Sequence, residues 1–170
     1  MPLHNESWDE AFRQLGYELP DDFIDRYKGI PSADIVRKYN DEFNTNLDPE
    51  ETASLKNSIV KTKIPHAKPI QIIVDIAIEY RDKLPMAVAS GGYRSNVDIA
   101  LKSIGLTDHF KAVITANDDV KPKPSPDIFL EAARRIGVEP DKCLVFEDGD
   151  MGIDAAHKAG MPVIDVRNYI

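Results

Sequence analysis

The sequence has little cysteine, no long hydrophobic run and no excess of basic residues. Cys143 is its only cysteine, so no internal disulfide can form, and this favours a reducing, cytoplasmic compartment. The longest apolar-rich stretch, residues 70–78, is interrupted by Gln71 and Asp75 and falls far short of the roughly 20 residues of a membrane span. A net charge of −8 argues against a partner that is nucleic acid or an anionic membrane.

The overall composition is that of an ordinary globular protein, with 42% hydrophobic and 29% charged residues. This excludes a disordered, collagen-like or coiled-coil chain. A chain of 170 residues can bury roughly 70% of its unfolded surface, which is enough for a substantial core. We therefore expect one domain, with a subdomain, that acts as a monomer.

Residues 1–66 carry only helical patterns. The first apolar stripe consists of Trp8, Ala11, Phe12 and Leu15. Farther along, Asp48 is followed by Pro49 and two glutamates, a combination that favours a helix start because cap, proline and acidic first turn agree. These patterns predict a small bundle of four short amphipathic helices.

From residue 67 onward, helical stripes alternate with short apolar runs, at residues 86–89, 112–114, 143–146 and 162–164. Short runs without polar alternation are typical of strands that are buried on both faces. Strands that alternate with helices predict an α/β fold, a doubly wound parallel sheet with a Rossmann-like core. Ligands of such sheets bind at the carboxyl ends of the strands.

Two of the predicted strands end in segments suited to an anion. Ser90, Gly91 and Gly92 offer a hydroxyl and unhindered backbone N–H groups, although a glycine-containing turn is also common between a strand and a helix. Lys123 stands between two prolines that fix the backbone direction on both sides. The alternative is an ordinary surface lysine in a proline-rich loop.

The third predicted strand ends in Glu147 and Asp148. Adjacent carboxylates at the end of a buried strand repel each other unless a cation joins them, and Mg²⁺ together with phosphate is the usual case. A helix cap with a solvated acid is the alternative, and it accounts for Asp150 better than for these two residues. Hydroxyl, lysine and acidic pair together predict a phosphate pocket with a metal.

The sequence resembles the haloacid dehalogenase-like hydrolase superfamily, in particular its beta-phosphoglucomutase-like and fructose-1-phosphatase-like branch. The stretches that carry the resemblance are residues 1–8, 84–92, 123–130 and 145–148, the last leading to Gly152-Ile153 and Ala155-Ala156. The resemblance implies that Ser90 and Lys123 act on the transferring phosphoryl group, and that Asp148 with Glu147 holds Mg²⁺. It also implies a helical cap over residues 1–66 and a hydrolase core over residues 67–170.

The same resemblance includes a strand that ends in Asp-x-Asp-Gly-Thr/Val and supplies a nucleophilic and a proton-donating aspartate. The sequence contains no such motif, since Asp148-Gly149-Asp150 lacks the following Gly-Thr/Val. In this resemblance Met1 aligns just after the motif, so we expect that on the order of 15 residues, a strand and its loop, precede it. The alternatives are that the sheet rearranges or that another segment takes the place of this strand. We expect a longer reading frame upstream, a space of roughly 10 Å between the strands that end at Ser90 and Glu147, and little activity from the 170 residues alone.

Two further residues are weaker candidates for substrate binding. His4 matches a histidine of the relatives that faces the active site, but a lone histidine can equally be structural. Arg94 follows the glycine pair, where it either contacts substrate or simply begins a helix. Mutase relatives carry an arginine soon after a Lys-Gly pair; none follows Lys28-Gly29 here, which favours a phosphatase.

Together these features predict a Mg²⁺-dependent phosphomonoester hydrolase that acts on a small phosphorylated sugar such as fructose 1-phosphate, through aspartyl-phosphate chemistry. A beta-phosphoglucomutase-like mutase and a non-catalytic protein that binds phosphosugar or Mg²⁺ remain as alternatives. A dehalogenase is disfavoured because its chemistry needs no metal. A signalling receiver domain is disfavoured because its acids precede its lysine, whereas Glu147 and Asp148 follow Lys123.

Overall fold

The computed structural model describes residues 2–27 and 30–169. The chain forms two compact units, Met1–Ala67 and Lys68–Ile170. Lys28 and Gly29, on which the distinction from a mutase depends, lie outside the described residues. In the part of the chain that is described, no helix is both long and apolar enough to cross a membrane.

The first unit is helical. Its elements are α1 (Pro2–Gln14), α2 (Phe23–Arg26), α3 (Ser32–Phe43), α4 (Pro49–Lys63) and a 3₁₀ turn, Ile64–His66. Helix α4 begins as the sequence predicts, because the Asp48 carboxylate accepts the backbone N–H groups of Glu50 and Glu51 at 2.9 and 2.8 Å. Helices α1 and α3 both pack against α4.

Aromatic side chains fill the core of the helical unit. Trp8, Phe12, Phe23 and Tyr39 are buried, and the rings of Phe12 and Tyr39 meet edge-on at 4.5 Å between centroids. The Tyr39 hydroxyl reaches out of this core and donates to the carbonyl of Glu18 at 2.8 Å. Leu15 was expected in the same stripe but is 39% exposed, since α1 ends at Gln14 and Leu15 falls beyond it.

The second unit alternates helices and strands. Its elements are α5 (Gln71–Tyr80), β1 (Ala87–Ala89), α6 (Arg94–Ser103), β2 (Ala112–Ile114), α7 (Asp127–Ile136), β3 (Val145–Glu147), α8 (Asp150–Lys158) and β4 (Val163–Asp165), with 3₁₀ turns at Pro140–Lys142 and Val166–Tyr169. All four predicted strands are present. Cys143, expected inside the third strand, is instead half-buried at the end of a 3₁₀ turn, and β3 begins two residues later.

The strands form two parallel pairs, and helices cover both faces of the β1–β2 pair. β1 pairs with β2, where Ala87 lies opposite Ala112, and β3 pairs with β4. Alanines of β1 pack with α7 and α8 in one core, whereas Val88 and Val113 pack with α5 and α6 in another. Helices on both faces of parallel strands confirm the doubly wound α/β architecture.

Each described strand has a single hydrogen-bonded neighbour, so β1 and β3 are not paired with each other. Both pairs nevertheless share one hydrophobic core, which contains Ala112 and Ile114 of β2 and Val145 of β3. The additional strand that the family resemblance implies, and the space expected for it between β1 and β3, stay predictions. β1 leads directly into Ser90, and β3 ends at Glu147.

Candidate functional site

The loop after β1 is held in a compact turn by Ser90. Its hydroxyl oxygen accepts the backbone N–H of Gly92 at 3.1 Å, and its own N–H donates to the carbonyl of Ile114 on β2 at 2.9 Å. Gly91 has open space where a Cβ would lie. The turn therefore leaves the Ser90 hydroxyl hydrogen free to donate and leaves the backbone next to it unobstructed.

The loops after β1 and β2 are joined directly. The N–H of Ala116 donates to the carbonyl of Gly92 at 3.1 Å, and the N–H of Arg94 donates to Oδ1 of Asn117 at 2.8 Å. Asn117 thus caps the start of α6 with a side chain from the neighbouring loop. Because these are carboxyl ends of paired parallel strands, the sequence prediction that they meet at one sheet edge agrees with the geometry.

Asp118 fastens the segment that leads from β2 to Lys123. Its carboxylate accepts the N–H of Thr115 at 2.8 Å, and its other oxygen accepts a guanidinium N–H of Arg135 on α7 at 2.6 Å. The hydrogen bond from Thr115, followed by that from Arg135, lowers the pKa of Asp118 below its ordinary value. Farther on, Asp127 accepts the Ser125 hydroxyl at 2.7 Å, so both ends of this loop are anchored by carboxylates.

Lys123 and Glu147 form a close ion pair that is largely buried. Nζ of Lys123 lies 2.6 Å from Oε2 of Glu147, and the two side chains are only 17% and 13% exposed. Oε1 of the same carboxylate accepts the backbone N–H groups of Asp148 and Gly149 at 3.1 and 3.0 Å. The lysine also lies 5.2 Å from the centroid of the Phe129 ring. The ammonium therefore has a fixed position and two further N–H groups available to a ligand.

The acidic pair does not form a complete metal site on its own. Among the described residues, no three His, Cys, Asp or Glu side chains lie close enough together to hold a metal ion. Both oxygens of Glu147 already accept hydrogen bonds, whereas the side chain of Asp148 is exposed. Mg²⁺ commonly binds through one or two carboxylates together with phosphate oxygens and water, and the pair fits such a partial shell.

Arg94 and His4 lie in different settings. The guanidinium of Arg94 pairs with Asp98 on the exposed surface of α6, with Nε 2.7 Å from Oδ1. His4 is on α1 of the helical unit; part of its side chain is exposed, but Nδ1 lies 3.2 Å from Nζ of Lys56. Desolvation, followed by the charge of Lys56, lowers the pKa of His4 to about 4, so the ring is neutral at pH 7 and accepts from the ammonium.

Lys56 is a buried cation that the sequence analysis did not single out. It is 6% exposed, its Nζ lies 5.3 Å from the centroid of the Trp8 ring, and no described carboxylate pairs with it. Burial lowers its pKa to about 8. A signal was present in the sequence, because Lys56 stands three residues after Ala53 and three before Ile59, on the buried face of α4. A desolvated ammonium of this kind is suited to an anionic ligand.

A model of the haloacid dehalogenase-like hydrolase family matches residues 2–166. The chain belongs to this family. Since the haloacid dehalogenase-like family is one of hydrolases, the prediction of an enzyme of this class is confirmed. The assignment of roles to particular side chains stays a prediction.

Relatives of this haloacid dehalogenase-like chain include phosphatases. It is 33% identical over 166 residues to fructose-1-phosphate phosphatase YqaB of Escherichia coli K12, covering 98% of this chain and 88% of that protein. It is 28% identical over 163 residues to validoxylamine A 7'-phosphate phosphatase of Streptomyces hygroscopicus subsp. limoneus, covering 93% and 75%. The fold is similar to that of a beta-phosphoglucomutase structure from Clostridium difficile, with a TM-score of 0.73, 22% identity, and coverage of 98% and 79%.

Proposed function

We propose that this protein is a phosphomonoester hydrolase that acts on small phosphorylated sugars, with a substrate of the fructose 1-phosphate type. The observation that carries the proposal is the Lys123–Glu147 ion pair at the carboxyl end of β3. The loop after β1, which bears the Ser90 hydroxyl, is hydrogen-bonded to the loop that leads from β2 to Lys123. The names of the phosphatase relatives support the reaction type, and the fructose-1-phosphate phosphatase supports the substrate class.

In the proposed reaction, water cleaves the phosphorus–oxygen bond, inorganic phosphate leaves, and the sugar oxygen takes a proton. Negative charge redistributes over the three equatorial phosphoryl oxygens as the bond breaks. The ammonium of Lys123 neutralises part of that charge, and the hydroxyl of Ser90 with the N–H of Gly91 donates to the same oxygens. The N–H of Gly92 instead donates to the Ser90 hydroxyl oxygen and keeps the turn in shape. Glu147 keeps the ammonium in place throughout.

Asp148, with Glu147, would hold Mg²⁺ in this proposal. The ion, when bound, neutralises charge on the phosphoryl oxygens. The aspartate nucleophile of the family resides in a motif that the 170 residues do not contain. We therefore expect hydrolysis only when such an aspartate is supplied, and phosphate binding without turnover otherwise.

The remaining features of the proposal concern the helical unit and the setting of the protein. Lys56, with His4 beside it, is proposed to bind an anionic group, because its ammonium is already desolvated and has no described carboxylate partner. Arg94 is proposed only as a peripheral substrate contact, since Asp98 already occupies its guanidinium. The single cysteine supports a reducing, cytoplasmic setting, and we propose that the protein acts there as a monomer.

Release of inorganic phosphate from a panel of sugar phosphates tests the proposal. The chain is assayed with Mg²⁺, both as given and with whatever in-frame coding sequence precedes the codon of Met1. In the active form, Lys123→Met is expected to lower kcat/KM by about 100-fold or more. Lys121→Met is the matched control, because this exposed lysine lies in the same loop, and its hydrogen bond to Asp127 comes from its backbone N–H.

The outcomes separate the alternatives. Phosphate release that depends on Lys123 supports the phosphatase. Interconversion of two sugar phosphates without net release indicates a mutase, and phosphate binding with no turnover in either form indicates a non-catalytic binding protein. An active enzyme in which Lys123→Met matches Lys121→Met contradicts the proposed mechanism.

A further inference from the structure

Gly152, in the first turn of α8, lies against the side chain of Glu147. A Cβ built on Gly152 falls closer than 3.0 Å to Cγ, Cδ and Oε2 of Glu147, which real Cβ atoms essentially never do. The obstruction is not confined to the flexible end of the side chain, because Cγ is included. Any residue other than glycine at this position requires Glu147 to move.

No backbone conformation demands a glycine at this position. Residue 152 lies within the helix from Asp150 to Lys158, and it is not among the glycines with positive φ. Glycine inside a helix is less favourable than alanine, because it has more conformational freedom to lose. The missing side chain is therefore the physical reason for glycine at this position.

In the Glu147 conformation that Gly152 permits, both carboxylate oxygens lie within hydrogen-bond distance of partners. Oε1 accepts the N–H groups of Asp148 and Gly149 at the start of α8, and Oε2 lies 2.6 Å from Nζ of Lys123. Displacing Cγ and Cδ would draw both oxygens away from these partners together. The absence of a side chain at Gly152 therefore affects the position of the Lys123 ammonium through Glu147.

We propose that Gly152 is a positioning residue, whose missing side chain lets Glu147 fold over the start of α8 and hold Lys123 in place for the phosphoryl group. The part that concerns phosphate rests on the proposed function. The part that concerns Glu147 does not, and the two are tested separately.

A double-mutant cycle in thermal unfolding tests the contact with Glu147. Gly152→Ala is expected to lower Tm in the wild-type background. In the Glu147→Ala background the same change is expected to leave Tm unchanged or raise it, because the three atoms nearest to the new Cβ are then absent and alanine favours the helix. Met151→Ala is the matched control in the same turn, where the side chain is exposed. An equal loss of Tm in both backgrounds overturns the inference.

The amide signals of Asp148 and Gly149 in ¹H–¹⁵N spectra give a readout that a merely structural glycine would not move. In Gly152→Ala both signals are expected to shift towards their positions in Glu147→Ala, since both lose the carboxylate acceptor. Unshifted signals overturn the inference. If Gly152→Ala fails to fold, a folded Glu147→Ala/Gly152→Ala double variant supports it, and a double variant that is unfolded while Glu147→Ala is folded overturns it.

Titration with inorganic phosphate, followed by calorimetry, tests the consequence for Lys123. Gly152→Ala is expected to weaken the affinity by about tenfold or more relative to Met151→Ala, as loss of a supporting contact does at other sites. An unchanged affinity overturns the role towards Lys123. If the wild-type protein binds no phosphate, the proposed function fails, whereas the thermal cycle and the amide signals still decide the role of Gly152.

Discussion

Each of the two units buries a lysine, but among the described residues only one of these lysines has a carboxylate partner. In the α/β unit, Lys123 has a carboxylate partner, Glu147, at 2.6 Å. In the helical unit, Lys56 is more deeply buried and lies beside a neutral imidazole and the Trp8 ring, with no carboxylate partner among the described residues. The first ammonium is fixed by an opposite charge, while the second is desolvated and has only neutral partners in the described part of the chain. The comparison teaches that burial alone does not say whether a charged residue stabilises the fold.

The largest expected effect comes from removing the paired lysine. Lys123→Met leaves the Glu147 carboxylate poorly hydrated and without its ammonium, so we expect the free energy of unfolding to fall by about 2–3 kcal/mol. Urea unfolding followed by circular dichroism measures this change. The exposed Lys121→Met variant serves as the control, and equal stability of the two variants would contradict the difference drawn between the lysines.

Removing the charge of Lys56, which has no described carboxylate partner, is expected to raise the free energy of unfolding. Lys56→Met removes a desolvated charge while keeping an apolar chain of similar length against Trp8, so stability at pH 7 should rise by about 1–2 kcal/mol. The pKa of Lys56 is lowered from 10.5 to about 8, so the unfolded chain binds the proton more tightly. Stability of the wild-type protein should therefore rise as pH increases from 8 to 10.5, closing the gap to the variant.

Fluorescence of Trp8, the only tryptophan, follows this transition within the helical unit. Lys61→Met is the control, since Lys61 is exposed on the same helix. A loss of stability in Lys56→Met that exceeds any loss in Lys61→Met would show that Lys56 has a compensating interaction and would remove the contrast with Lys123.

A smaller effect on stability, from the cap of α4, tests whether the helical unit and the α/β unit unfold separately. Asp48→Ala removes the carboxylate that caps α4, and should lower the stability of the helical unit by about 1 kcal/mol. Asp48→Asn retains an acceptor and should recover most of the loss. If the units unfold separately, only the transition reported by Trp8 should move; a parallel shift in the α/β unit would show that they unfold together.

The smallest effect is expected from His4, whose ring is partly exposed to solvent. Its pKa is lowered to about 4, so the unfolded chain binds a proton more readily, and stability should fall as pH decreases from 6.5 to 4. His4→Gln should flatten this slope, and Lys56→Met should reduce it because the lysine charge contributes to the shift. His66→Gln, at an exposed position, is the control; an identical slope in His4→Gln and His66→Gln would exclude His4 as the source.

Much of the fold could be predicted because local patterns and tertiary contacts agree. The apolar runs coincide with the four strands to within two residues, since strands covered on both faces need apolar side chains in succession. The start of α4 followed from Asp48 and Pro49, because a capping carboxylate acts on N–H groups two and three positions later in the chain. The sequence also identified the loops that hold Ser90 and Lys123 and the strand end at which Glu147 lies.

What could not be predicted depends on contacts between residues far apart in the chain. The sequence predicted Mg²⁺ beside Glu147 but did not predict the ion pair that this carboxylate forms with Lys123, 24 residues away in the chain. Lys56 meets His4 across 52 residues, which no local pattern of α4 specifies. In the sequence Gly152 is only one residue of a family motif, whereas the structure places the Glu147 side chain directly against it.

The sequence by itself determined where helices and strands begin, which faces they bury and which loops carry polar groups, because these properties depend on neighbours within a few residues. Only the tertiary structure decided which charges are compensated: Glu147 by Lys123, Asp118 by Arg135, and Lys56 by no described carboxylate. Electrostatic and steric compensation is set by separation in space and by exclusion of water, and neither quantity is written in the spacing of residues along the chain.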